Sequence, residues 1–276
     1  MNRIPAVLLM ICGVASPGLA GPPSPLDVRM RGIHRHQVVL DRSDADGGGI
    51  AGACEAVVVA HTESDFGPGE YVAQGGFIEG EIAATSFELP PDAFPVRLDL
   101  FESLFATSST VVETTTEYAI YVWSGRPDTG TLVFNVASDG DILPHITMPP
   151  GTTGVRLEFL VNPGDPDQIW IDDDGTHTVT VGIEIVEHHQ PPTNQCVTAP
   201  DAQFNAFPCT DVDGLQAATG NWIFVEDCGI FGCPEGWKRF SDLPSICRPS
   251  GDWVQRFTWT PSACDALGAC CIGGTC

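Results

Sequence analysis

Apolar and polar positions alternate along most of this chain with a period of two. Val155, Leu157, Phe159 and Val161 interleave with Arg156, Glu158 and Leu160. Val179, Val181, Ile183 and Ile185 interleave with Thr178, Thr180 and Glu184, and Tyr118, Ile120 and Val122 with Ala119, Tyr121 and Trp123. Period two sends successive side chains to opposite faces, the mark of a strand with a core side. Weaker runs of the same kind cover 37–40, 55–61, 71–78, 96–105, 132–136, 142–148, 222–226 and 253–259. No long window repeats apolar residues at three and four, so helices are not expected.

Turn chemistry separates these runs. Asp46-Gly47, Asp139-Gly140, Asp174-Gly175 and Asp213-Gly214 each offer the positive φ that a tight turn needs. Many short strands between such turns predict an all-β chain, an antiparallel β-sandwich of jelly-roll type. The expected sandwich runs from residue 28 to 264. His189-Gln190-Pro191-Pro192 marks an alternative boundary near 190–195. In the run 96–105, Glu102 falls on the apolar side of Val96, Leu98, Leu100 and Leu104, while Phe101 and Phe105 fall on the other. A bulge that exchanges the faces resolves the conflict.

The first twenty residues do not follow this pattern. A short basic start, Met1-Asn2-Arg3, precedes an apolar run from Ile4 to Val14, then Gly18-Leu19-Ala20 ahead of Gly21. This predicts a secretory signal peptide over residues 1–20, too short to be a membrane anchor. Of the 11 cysteines, nine stand at or after Cys196. An exported chain with that load is expected to be disulfide-bonded, through Cys54, Cys196, Cys209, Cys228, Cys233, Cys247 and Cys264. Seven is odd, so one of these either bonds to the final group, Cys270, Cys271 and Cys276, or stays a free thiol. Cys228-x4-Cys233 lacks the spacing of a zinc knuckle.

Charge narrows the partners. The formal net charge of −24 and the single lysine, Lys238, argue against nucleic acid and anionic membrane surfaces as ligands. No second apolar run is long enough to span a bilayer.

The chain ends in Gly268-Ala269-Cys270-Cys271-Ile272-Gly273-Gly274-Thr275-Cys276. Two further stretches stand upstream: Cys233-Pro234-x2-Trp237-x2-Phe240-Ser241-Asp242-Leu243-Pro244, and Cys247-Arg248-Pro249-Ser250-Gly251-Asp252-Trp253. Together they resemble uncharacterised exported bacterial proteins in which a β domain precedes "GACC…C" cysteine-rich repeats. The resemblance implies export and architecture, with no activity attached. It makes 265–276 the opening of such a repeat, with more sequence expected after Cys276.

Carboxylate clusters raise calcium as a candidate ligand, since a hard cation seeks grouped oxygens. The candidates are Asp41, Asp44 and Asp46 before a glycine run, and Asp172, Asp173 and Asp174 before Gly175. The first group lacks the glutamate of an EF-hand. No other cofactor is indicated. His34 and His36, and His188 with His189, read as exposed polar pairs. Among the tryptophans, Trp237 and Trp253 are the candidates for stacking on a sugar ring. No HExxH, GxSxG, Walker or GxGxxG pattern occurs.

The expected function is therefore a secreted, non-catalytic extracellular or cell-surface protein, binding or structural, with carbohydrate or another surface protein as partner. The alternative is a secreted polysaccharide hydrolase that uses strand carboxylates such as Glu102, Glu158 and Glu184.

Overall fold

The computed structural model describes residues 25–40, 55–162 and 168–262. The segment 1–20, the calcium candidates Asp41, Asp44 and Asp46, the cysteines Cys54 and Cys264, and the closing repeat lie outside the described residues.

Sixteen strands follow one another among the described residues. They are β1 (Leu26–Met30), β2 (His34–Leu40), β3 (Val57–Ala60), β4 (Gly69–Ala73), β5 (Ile82–Glu88) and β6 (Val96–Ala106). Then come β7 (Thr114–Ser124), β8 (Thr131–Ala137), β9 (Ile146–Met148), β10 (Gly154–Val161), β11 (Trp170–Ile171) and β12 (Thr178–Glu187). The last four are β13 (Phe207–Thr210), β14 (Asn221–Val225), β15 (Gly236–Arg239) and β16 (Gln255–Pro261). Among the described residues the helical elements are three short 3-10 turns, and no helix there is long and apolar enough to cross a membrane.

The strands form two sheets packed face to face. The nine-stranded sheet runs β1-β4-β13-β6-β10-β2, with β16 and β11 also on β6, and β3 on β16. The seven-stranded sheet runs β15-β14-β5-β12-β7-β8, with β9 also on β7. Pairing is antiparallel except between β2 and β10. The chain is thus the antiparallel sandwich that its periodicity predicts. Val155, Leu157, Phe159 and Val161, with Val179, Val181, Ile183 and Ile185, point into the shared core and are fully buried. Gly140, Gly175 and Gly214 adopt positive φ, as their Asp-Gly contexts require.

The bulge expected in the run 96–105 is present. Thr258 of β16 stands opposite Leu100 of β6, but the next residue, Trp259, stands opposite Leu98. Asp99 is the extra residue. Val96 and Leu98 therefore share the core with Phe101 and Phe105, and Glu102 faces away from it.

Residues beyond 195 are built into both sheets. β13 lies between β4 and β6, β14 extends the other sheet from β5, and β16 pairs with β6. Two disulfides clamp the loops of this region, Cys196–Cys228 and Cys233–Cys247, with Cα separations of 5.2 and 5.7 Å. Cys209, expected among the bonded cysteines, is instead a buried free thiol. It sits in β13, where its Sγ donates to the Leu104 carbonyl at 3.0 Å, and burial pushes its pKa well up.

Trp253, expected to stack on a sugar ring, is enclosed instead. It is fully buried, with Phe77 and Phe240 edge-on to its ring, and its Nε1 donates to the Trp222 carbonyl at 2.8 Å. It belongs to a knot made by Gly251-Asp252-Trp253. A Cβ on Gly251 would lie 2.2 Å from the Asp211 carbonyl oxygen. The buried Asp252 carboxylate accepts from the N–H groups of Gln216 and Ala217 and from the Asn221 amide. A buried carboxylate needs such donors, so this motif shapes the fold and offers no ligand platform.

Candidate functional site

The outer face of the seven-stranded sheet carries the candidate site. Pairing places Arg239, Trp222, Ala84, Gly182 and Tyr121 in one row across β15, β14, β5, β12 and β7. The adjacent row holds Trp237, Phe224, Ile82, Glu184 and Ala119. None of these residues belongs to the main core, whose members occupy the opposite side of the same strands.

Aromatic rings converge over the small residues in the middle. Tyr121 and Trp123, two apart on β7, stack with centroids 5.5 Å apart and planes 14° apart. Trp237 meets Trp123 edge-on at 5.4 Å and Phe224 at 5.5 Å. Trp237 stands on β15 and Trp123 on β7, four strand spacings or about 19 Å apart along the sheet. Their indoles touch because Ala84 and Gly182 leave the intervening surface low. Space at Gly182 is tight even for a methyl group: a Cβ there would lie 3.0 Å from Ala84 Cβ and 3.2 Å from Trp123 Cζ3. The Arg239 guanidinium lies 4.8 Å above the Trp222 ring, and Trp222 is buried beneath it. Trp237, Tyr121 and Phe224 remain half-exposed.

Polar groups border the rings. The Tyr121 hydroxyl donates to Glu184 Oε2 at 2.5 Å. Burial pushes the Glu184 carboxyl up, the Tyr121 hydrogen bond opposes this, and the charge of Glu226 adds to it. Burial, then the Glu184 hydrogen bond and charge, hold the Tyr121 phenol well above its ordinary value. Among the described residues no cation pairs with Glu184.

The other carboxylates singled out by sequence stand elsewhere. Glu102 and Glu158 face each other across β6 and β10 on the outer face of the nine-stranded sheet. Both side chains are 3% exposed. Arg256 forks onto Glu102, with Nη2 at 2.6 Å from Oε1, and lies 4.3 Å over the Phe66 ring. Arg156 binds Glu158 at 2.8 Å, and Arg35 donates to Glu158 from Nε at 2.6 Å. Three guanidinium groups thus hold two covered carboxylates, and Glu184 lies on the opposite sheet. The three glutamates do not converge on one site.

Among the described residues no group of three or more His, Cys, Asp or Glu is placed to hold a metal ion. Asp173 and Asp174 hold their own turn. Asp173 accepts from the N–H groups of Gly175 and His177 and from the His177 ring at 2.6 Å. Asp174 accepts from the Thr176 N–H and hydroxyl, while the exposed Asp172 accepts from Ser124 through its backbone carbonyl. His188, expected at the surface, is buried, with Nε2 3.0 Å from the Phe77 carbonyl and its pKa lowered by that burial.

Of the two tryptophans marked in the sequence, the site contains Trp237 and excludes Trp253. Sequence reasoning missed Tyr121, Trp123 and Phe224 as its companions, and named Glu184 only as a strand carboxylate of the hydrolase alternative. Their signal was parity: Tyr121 and Trp123 sit opposite the core-facing Tyr118, Ile120 and Val122. No family model, curated protein or solved structure matches the chain.

Proposed function

We propose that this protein is an exported, non-catalytic binding module whose ligand is a carbohydrate, held on the outer face of the seven-stranded sheet. The observation that carries the reading is the meeting of Tyr121, Trp123, Phe224 and Trp237 beside the Tyr121–Glu184 hydrogen bond. Sugar C–H groups pack on the negative face of an aromatic ring, and sugar hydroxyls need acceptors and donors close by. Glu184, Tyr121 and Arg239 supply both. The two disulfides support an oxidising compartment, and the charge of −24 suits a surface that holds neutral glycans. A catalytic reading through strand glutamates has less support, because arginines engage Glu102 and Glu158.

The test is a glycan array probed with the oxidised chain, followed by titration of the best glycan against wild type and Trp237→Ala. Binding without sugar release, weakened at least tenfold by the substitution, is the expected result. Silence on the array, or undiminished binding by the variant, would sink the proposal. Released sugars would revive the hydrolase.

A further inference from the structure

A second site lies on the inner side of β14, at the end of the sandwich clamped by the disulfides. A cavity of about 160 Å³ opens there. Phe77, Ile78, Ile223, Val225 and Trp253 give it apolar walls, and both disulfides form its rim. A space of about 150 Å³ holds a guest of benzene size. Into this wall the chain sets one buried carboxyl group, that of Glu81, which is 8% exposed.

Glu81 is anchored by uncharged donors. Its Oε2 accepts from the Ile78 N–H at 3.0 Å, and the Glu226 N–H also donates to its carboxyl. The charged groups around it are few. Glu226 lines the same cavity, and Glu184 is coupled to Glu226 on the outer face. Glu79 is engaged by the Gln195 amide at 2.6 Å and the His188 N–H. The one cation of the lining is Arg248, which is exposed at the mouth. No cation pairs with Glu81 or Glu226 among the described residues.

We propose that this cavity binds a small amphiphilic amine, a hydrocarbon body of benzyl size carrying a primary ammonium. The apolar walls take the body, and the ammonium supplies the countercharge that Glu81 and Glu226 lack. Without it, burial, reinforced by the Glu226 charge, pushes the Glu81 carboxyl up to about 8. A bound cation reverses that balance, so Glu81 gives up its proton as the amine enters. The site is separate from the proposed sugar face, which lies on the other side of the sheet, and neither reading depends on the other.

The experiment titrates the oxidised full chain with benzylamine, benzyl alcohol and toluene by calorimetry at pH 6.5, in buffers of different ionisation enthalpy. Benzylamine should bind at least tenfold more tightly than either neutral analogue and release close to one proton. Glu81→Gln should erase the preference, and Ile246→Trp, at an exposed position of the rim, should weaken all three ligands. Equal affinity for benzylamine and toluene, or no binding of any of the three, overturns the proposal. If Glu81→Gln does not fold, proton release by the wild type decides alone, and its absence is equally fatal.

Discussion

The two outer faces of the sandwich treat carboxylates in opposite ways. On the nine-stranded sheet, Glu102 and Glu158 stand side by side beneath Arg35, Arg156 and Arg256, with Phe66 across one guanidinium. Both carboxylates there have guanidinium partners, three arginines to two glutamates. On the seven-stranded sheet, Glu184 on the outer face has a phenol for a partner, and Glu226 beside it and Glu81 in the cavity behind have no cation among the described residues. A chain with 36 acidic and 12 basic residues cannot pair every carboxylate. Three of its arginines are gathered on one face, and the unpaired glutamates gather where aromatic rings and a cavity lie. Composition alone made a charge surplus certain. The sheets decide where it becomes chemistry.

The largest effect that would sharpen this contrast belongs to Glu81. Its folded value of about 8 lies above the ordinary carboxylate value of 4.5. The native state therefore holds a proton that the unfolded chain has already released between those two pH values. The contribution of Glu81 to stability should be complete below pH 4.5 and be lost as pH rises to 8, by an amount on the order of 4 kcal/mol, then level off. Glu81→Gln should flatten that part of the curve, as measured by urea unfolding at a series of pH values. A variant with the same slope as wild type would show that Glu81 is not the unpaired group the contrast requires.

Glu102→Ala tests the other face. It leaves Arg256, whose side chain is 27% exposed, without its forked partner. Breaking a covered pair from one side should cost about 2–4 kcal/mol, the lower end reflecting the partial exposure of the arginine. A loss below about 0.5 kcal/mol, the ordinary scatter of surface changes, would make this cluster an incidental surface feature and remove half of the comparison.

A third substitution, Gly182→Val, attacks the low floor beneath the rings. The first added carbon meets Ala84 and Trp123 at 3.0–3.2 Å, and two further methyl groups follow. Overpacking of this kind costs about 1–3 kcal/mol. Trp123 should be displaced from Tyr121 and Trp237, which near-ultraviolet circular dichroism would report. An unchanged spectrum would mean that the rings do not depend on this gap.

Much of the architecture was legible because alternation is a direct consequence of strand geometry. Val155 to Val161 and Val179 to Ile185 announced their core faces. The misplaced Glu102 announced the bulge that the structure puts at Asp99. β5 was not legible. Its sequence, Ile-Ala-Ala-Thr-Ser-Phe-Glu, shows no alternation because core covers one side and the aromatic cluster the other. The same fact hid the site. Ala84 and Gly182 look like weak strand residues until pairing puts them beside each other, between rings from β7, β14 and β15. Trp253 looked available because its motif, Gly251-Asp252-Trp253, carries no visible sign that Asp252 collects donors from three residues more than thirty positions upstream. Cys209 could not be told from its bonded neighbours, because pairing depends on distances that spacing does not contain.

The smallest expected change in stability is the most informative for function. Trp237 sits on the edge strand β15 and is half-exposed, so Trp237→Ala should cost about 1 kcal/mol, well below the truncation of a buried tryptophan. Its ring is nevertheless the one that joins Trp123 to Phe224. A residue that contributes little to folding and much to a surface cluster is placed for binding, since packing alone would draw it into the core. If the contrast between the faces is functional, the variant should unfold near the wild-type midpoint while losing most of its glycan affinity. Loss of both together would make Trp237 a structural residue. The seven-stranded face would then be an aromatic patch that shields Ala84 and Gly182 from water, as inert as the arginine-covered face opposite.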